Sequence, residues 1–226
     1  MTAMKHPRVE LVSVNVGRPS YIGERRGHMV ESGIRKKPVS GTTIDVSLTN
    51  LAGDGQADLR NHGGFDKAVY AYPTDHLPAW SAELKPDVPF GPGSFGENLS
   101  TAGWLEHEVC IGDVWAWGDA VLQVCQPRYP CFKLGMTLNR PSVVRAMVRN
   151  ARTGWYLRVL EAGEAPTAGP ISVIERGAGS VTVAEAHLAR LPDAPLALIE
   201  RVVSAPALAS GLRAGLHQEL EVLAAS

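Results

Sequence analysis

The segment VCIGDVWAWGDAVLQVCQPRYPCFKL (residues 109–134) sets the reading of the chain. Val109 to Trp117 and Ala120 to Cys125 are strand-like, and Gly118-Asp119 between them has the form of a two-residue turn, so the first part predicts a β-hairpin. The second part leaves the sheet through Pro127 and Pro130. Each proline fixes its own φ and pushes the residue before it away from helix. The loop therefore presents Cys131 in a defined direction between two cations, Arg128 and Lys133. Their charge favours the thiolate, the form that attacks electrophiles and binds metals.

Outward from the hairpin, the first 176 residues read mostly as short strands. Val9 to Val16 alternates, with Val12, Val14 and Val16 on one face; Thr42 to Leu48, Ala68 to Tyr72 and Ile171 to Ile174 follow. Many short strands separated by Gly and Pro favour a closed or partly closed barrel over an alternating βαβ sheet. Helices interrupt at Thr74 to Leu84, with Thr74 as cap, and at Pro141 to Arg149, with Val144, Met147 and Val148 on one side. Thr153 to Leu160 fits either helix or strand. After Gly177-Ala178-Gly179 the pattern turns helical: Thr182 caps Val183 to Leu191, Leu196 to Val203 follows, and Leu208 to Leu223 splits near Gly211. The expected organisation is a mainly β barrel domain over 1–176 and a three-helix subdomain over 177–226, joined by a flexible glycine link.

Composition bounds the function. The chain has 226 residues, 45% of them hydrophobic and 20% charged, with a net charge of −1. That is an ordinary globular balance, with no global field to draw it to nucleic acid or acidic membranes. Three helices invite a DNA-binding reading, but the tail carries Arg190, Arg201 and Arg213 against five carboxylates, a balance that argues against a DNA-recognition helix. Packing or homodimerisation is the role left to it. No apolar run approaches the roughly 20 residues of a membrane span, and the first ten residues carry no apolar leader. Cys110, Cys125 and Cys131 form no C-x-x-C pair, so a common zinc pattern is absent and reduced thiols point to the cytoplasm.

Other loops carry polar chemistry. Gly53-Asp54-Gly55 and His62-Gly63-Gly64 allow close backbone approach to a ligand. Between them Asp58, Arg60 and His62 supply a carboxylate, a guanidinium suited either to bidentate anion binding or to a surface pair with Asp58, and a proton donor at neutral pH. Asn98 can donate and accept. Arg25, Arg26, Arg35, Lys36 and Lys37 form either a solvated basic face or an anion pocket, and Tyr129 and Phe132 either a wall beside the thiol or core. Cys110 and Cys125 read as inert core residues.

The proline-flanked cysteine loop resembles that of MOSC domains, the family related to the C-terminal part of molybdenum-cofactor sulfurases. Ser32-Gly33-Ile34-Arg35-Lys36-Lys37-Pro38-Val39, the run from Gly53 to Gly64, Phe95-Gly96-Glu97-Asn98-Leu99 and Gly154-Trp155-Tyr156 resemble the YiiM-type branch, in that order and over nearly the whole chain. The resemblance implies a MOSC-type β-barrel binding the molybdenum cofactor (molybdopterin), with Cys131 as metal ligand and Lys36, Arg60, His62, Asn98 and Arg128 lining the cofactor pocket. It further implies reduction of N-hydroxylated compounds such as 6-hydroxylaminopurine, with Asp58 and His62 as proton donors beside Cys131. No flavin or nicotinamide fingerprint is present, so electrons are expected from a separate flavin reductase. The alternative is a sulfur carrier with a persulfide on Cys131. Phe65, after Gly63-Gly64, departs from the small residue or proline common in related pockets and is expected to reshape the substrate entrance.

Overall fold

The structure, a computed structural model, describes residues 7–59, 63–179 and 181–224. Its centre is a closed seven-stranded barrel. The strands are β1 (Arg8–Val16), β6 (Val69–Pro73), β7 (Leu99–Ala102), β8 (Val114–Trp117), β9 (Ala120–Pro127), β10 (Trp155–Glu161) and β12 (Gly169–Glu175). They pair in the order β12-β8-β9-β10-β6-β7-β1, and β1 closes on β12. All neighbours are antiparallel except β6 and β7. Closure removes the open edges that strands otherwise present to solvent. Outside the barrel lie the hairpin β2 (Ser20–Arg25) and β3 (His28–Ser32), the two-residue β4 (Lys37–Pro38) on β1, and the pair β5 (Thr43–Val46) and β11 (Gly163–Pro166).

Residues 109–134 behave as expected: β8 and β9 pair across Gly118-Asp119, with Trp117 opposite Ala120. The hairpin starts at Val114, later than the sequence suggests, because Asp113 ends a tight turn. The ambiguous Thr153 to Leu160 stretch is strand β10. In β1 the simple alternation fails. A bulge between Leu11 and Ser13 shifts the phase, so Val9, Leu11 and Val14 are buried while Val12 faces solvent.

Strand β6 is buried along its whole length, which explains its unbroken apolar run. Val69 and Ala71 enter the barrel core; Tyr70 and Tyr72 point outward into a second cluster with Trp80, Phe95, Leu134 and Met147. That cluster is roofed by α1 (Leu77–Leu84), α2 (Phe132–Thr137) and α3 (Ser142–Asn150). Tyr72 stacks on Phe95 at 4.8 Å and accepts a hydrogen bond from Trp80 Nε1. Two helix details differ from the sequence reading. Thr74 does not cap α1; its residue run opens as a 3-10 turn and its hydroxyl donates to the Thr101 carbonyl. The buried side of α3 is Val143 and Met147, with Val144 and Val148 only partly covered.

The tail comprises α4 (Val183–Leu188), α5 (Leu196–Val203) and α6 (Ser210–Ala224). Thr182 caps α4 in a reciprocal capping box with Glu185. Helix α6 is not split: it begins at Ser210, so Gly211 falls in its first turn and interrupts nothing. Val183, Ala186, Ile199, Val202 and Leu216 join the same apolar cluster as the barrel interior. Asp66, on the barrel rim, accepts from Ser210 N–H at 3.1 Å and so caps α6, while Arg158 ties Asp66 to the Ala207 carbonyl. The glycine link is likewise held, not loose. The wholly buried Asp113 carboxylate accepts from Gly177 N–H and Cys110 N–H, both at 2.9 Å. Among the described residues no helix is long and apolar enough to cross a membrane.

Removing the Asp113 carboxylate strands two buried donors. Asp113→Ala is expected to destabilise the fold by about 3 kcal/mol, and Asp113→Asn by less, as read from urea denaturation midpoints.

Candidate functional site

Four loops that are distant in sequence meet at one end of the barrel. They are the turn after β3 (32–36), the turn 53–58, the turn 93–98 and the proline loop after β9. The contact between the first two is backbone on backbone. A Cβ on Gly33 would lie 2.0 Å from the Gly55 carbonyl oxygen, so only glycine lets the loops close. The third loop shows the same constraint. Gly96 has φ +80° and its Cβ would meet Ile34 Cγ1 at 2.6 Å.

The run 95–99 divides its labour by residue. Phe95 packs in the outer cluster and Leu99 in the barrel core. Glu97 is fully buried and shapes the turn, accepting from Gly93 N–H at 2.6 Å, Phe95 N–H at 3.0 Å and the Ser100 hydroxyl at 2.7 Å. Burial raises its pKa in spite of these bonds. Asn98 is occupied in every direction. Its Oδ1 accepts from Tyr70 N–H at 3.1 Å, and its Nδ2 donates to Asp54 Oδ2 at 2.9 Å and to the Asn15 carbonyl at 3.2 Å. It pins β6, β1 and the 53–58 turn together beneath the cavity.

Asp54 is the junction of these loops. Its Oδ1 accepts from Gly17 N–H at 2.8 Å and pairs with Lys36 Nζ. Both side chains are almost wholly buried, at 8% exposure for Lys36 and 1% for Asp54. Burial lowers the Lys36 pKa, with Asp54 and Glu97 opposing the shift. In the sequence, Gly53-Asp54-Gly55 reads as a backbone nest for a ligand. In the structure its side chain is the main contribution.

Above this base lies a cavity of about 80 Å³, open to solvent and lined by Lys36, Asp58, Asn98, Arg128 and Cys131, with Lys67, Tyr70, Lys133 and Tyr156. Five of the seven residues singled out from sequence therefore converge. Arg60 and His62 lie outside the described residues. Cys131 is the residue before α2, extended at φ −114°, and is partly exposed; no disulfide links it to Cys110 or Cys125, which are buried. Burial pushes the Cys125 thiol up to about 12, in keeping with an inert core role. Arg128 is nearly fully buried, with its guanidinium 4.9 Å from the Tyr70 ring centre. Its Nη1 is buried and has no hydrogen-bond partner within the protein. A buried guanidinium N–H without an acceptor is costly.

A model of the MOSC domain matches residues 58–177, more than half of the chain. The chain belongs to the MOSC family. YflK of Bacillus subtilis (strain 168) is 39% identical over 97% of this chain and 98% of its own length. A Gibberella moniliformis protein named "Reductase" is 39% identical over 66% of this chain but only 27% of that much longer protein. The crystal structure of YiiM from Geobacillus stearothermophilus superposes with a TM-score of 0.78 at 32% identity, covering 94% of this chain and 99% of that one.

Within the MOSC site, several contributors escaped the sequence reading. Tyr70 and Lys67 line the cavity from a barrel strand and the rim, where their type and spacing carry no motif, and Tyr156 belongs to a quoted motif but was given no role. The pairing of β10 with β6 sets Tyr156 opposite Tyr70, and Lys67 ends the 3-10 turn just before β6. Tyr129 and Phe132 are not a cavity wall. Tyr129 turns to the tail, stacked on His187 and under Arg190, and Phe132 lies beneath Arg25. Of the basic run, only Lys36 enters the pocket; Arg25, Arg26, Arg35 and Lys37 are exposed.

Asp54→Ala leaves a buried ammonium without its carboxylate and is expected to cost about 3–5 kcal/mol in urea denaturation. Adding Lys36→Met should recover part of that loss, because the stranded charge is then gone.

Proposed function

We propose that this MOSC protein is a molybdenum-cofactor-binding oxidoreductase that reduces N-hydroxylated compounds, such as 6-hydroxylaminopurine, in the cytoplasm, with Cys131 as metal ligand. The observation that carries the reading is the partnerless, buried Nη1 of Arg128 in the cavity that the Cys131 thiol lines. A soft thiolate donor and a desolvated cation together suit a group that is both anionic and metal-bearing. The cavity is about 80 Å³ and open to solvent, so it would hold only part of a molybdopterin. The name of the fungal relative agrees with a redox role.

When bound, the cofactor supplies two electrons to the N–O bond: the hydroxylamine takes them up with two protons, giving the amine and water. The protein's own residues then have defined tasks. Cys131 holds the metal. Arg128 neutralises negative charge and is kept rigid by Tyr70 and Tyr156. Burial raises both tyrosines' pKa, so their hydroxyls stay neutral and orient without ionising. Lys36, its charge balanced by Asp54, fixes the cavity floor from below. Asp58, on the cavity wall, and His62 deliver protons to the leaving oxygen. A separate flavin reductase returns the electrons. A sulfur carrier needs an accessible thiol more than a buried arginine and lysine beside it, so the cavity favours the cofactor.

The test is molybdenum content, with pterin fluorescence after oxidative release, on protein from a cofactor-competent host. Wild type should carry near-stoichiometric metal and pterin. Cys131→Ser should fold normally but lose metal and reductase activity, and Arg128→Met should bind cofactor about 10–100-fold more weakly. Wild type that holds neither metal nor pterin after reconstitution, yet forms a Cys131 persulfide with a cysteine desulfurase, would replace the reductase with the carrier.

A further inference from the structure

The tail packs on the barrel, and one of its contacts reaches the cysteine loop itself. Helix α4 is fixed at its start, where Val183 N–H and Ala184 N–H donate to the carbonyls of Val109 and Glu106, both at 2.9 Å. One turn further on, His187 is wholly buried and its Nε2 lies 2.7 Å from the Val148 carbonyl oxygen. That carbonyl belongs to the last turn of α3, where a helix leaves its acceptors unused. A carbonyl only accepts, so Nε2 carries the proton and donates; burial lowers the ring's pKa, with the Arg190 charge adding to the shift. Arg190 follows in the same turn, its N–H bonded to the His187 carbonyl at 3.1 Å.

Both residues meet Tyr129. The Tyr129 and His187 rings stack with centres 6.3 Å apart, and the Arg190 guanidinium lies 4.0 Å from the Tyr129 ring centre. Tyr129 stands between Arg128 and Cys131, the two residues of this loop that line the cavity. The backbone is thinly held there. Arg128 N–H donates to the Gly154 carbonyl and Leu134 N–H to the Cys131 carbonyl, both at 3.1 Å. Between those bonds Pro130 has no N–H to give, and among the described residues Tyr129 makes no backbone hydrogen bond. Proline fixes φ but leaves ψ free, so the two prolines stiffen the loop without settling its direction. The half-covered Tyr129 ring supplies the anchor. It borders the cleft between the rim and α6, as does Phe65, which stays out of the Cys131 cavity. Ring-stacking and cation–π contacts together shift a local opening equilibrium about tenfold.

We propose that the tail positions the Cys131 thiol: His187 and Arg190 hold the Tyr129 ring, and the ring keeps Cys131 and Arg128 together at the cavity. Tyr129, His187 and Arg190 are positioning residues, acting through the loop and touching no reacting atom. This rests on Cys131 being the working residue, and it serves Cys131 equally as metal ligand or as sulfur carrier.

The experiment alkylates the full chain, prepared without cofactor, with iodoacetate and with iodoacetamide, and takes the ratio of the two rates at Cys131 by peptide mass spectrometry. Both reagents attack through the same thiolate, so the ratio reads the positive charge around the sulfur and not its degree of ionisation. Wild type should show a ratio several-fold above that of the chain unfolded in urea, with an excess that falls as salt is added. Tyr129→Leu should lose most of the excess, and Tyr129→Phe, which keeps the ring, should retain it. Amide hydrogen exchange at Arg128 and Leu134 should quicken about tenfold in Tyr129→Leu and several-fold in Arg190→Gln, with Val124 in β9 unchanged. A wild-type ratio and wild-type loop exchange in Tyr129→Leu overturn the proposal, as does an equal loss in Tyr129→Phe. Exchange that quickens equally at Val124 also overturns it, because that is a general loss of stability. If the loop behaves as expected but the wild type takes up no molybdenum, the reductase reading fails and the positioning role stands.

Discussion

A single buried carboxylate, Asp54, sits where the loops of the site must agree. It receives the Gly17 amide, the Lys36 ammonium and the Asn98 amide group, which belong to three separate parts of the chain. A carboxylate so deeply buried is tolerated only when its lone pairs are taken up, and each donor here is itself fixed by other bonds. Asn98 is locked to Tyr70 and Asn15, and the Glu97 turn beside it to Gly93, Phe95 and Ser100. The floor of the cavity is thus a fully paired polar network. Arg128, above it, keeps an unpaired donor. The contrast separates the fully bonded floor from the one guanidinium nitrogen above it that has no partner within the protein.

The barrel and tail obey a similar economy. Asp66 sits on the rim next to the cavity residue Lys67 and at the same time caps α6, while its backbone carbonyl accepts from Gln126 Nε2 at 2.8 Å. Moving the tail would therefore disturb the rim, and through it the cavity wall. The tail is net acidic, yet the face it turns to the barrel contributes Arg190 and Arg213 to a cleft lined also by Lys67 and Arg158. Net charge describes the whole helix set; the cleft meets only one side of it.

Much of this was legible in the residues. The β8–β9 turn, the α5 span, the Thr182 cap and the inert buried cysteines follow from local pattern, because turn chemistry, capping and hydrophobic periodicity act over a few positions. The misreadings have equally local causes. A bulge in β1 inverts the faces after Leu11, and no residue type announces it. Gly211 looks like a break until the cap from Asp66, far away in sequence, places the helix start beside it. Tyr129 sits two positions from Cys131 yet faces away from the cavity, since the loop turns it to His187 and Arg190.

By itself, the sequence determined that the chain is a short-stranded β fold with a helical tail, and that Cys131 stands in a rigid, cation-flanked loop. Proline geometry and ordered motifs carry that information directly. Only the tertiary structure decided that Asn98 and Asp54 are the site's fasteners, that Arg128 is the donor left unsatisfied, and that Lys67, Tyr70 and Tyr156 share the cavity. The physical reason is that hydrogen-bond satisfaction and burial are properties of assembled neighbours. A residue's type says which bonds it can make, and barrel closure and strand register decide which of them are made.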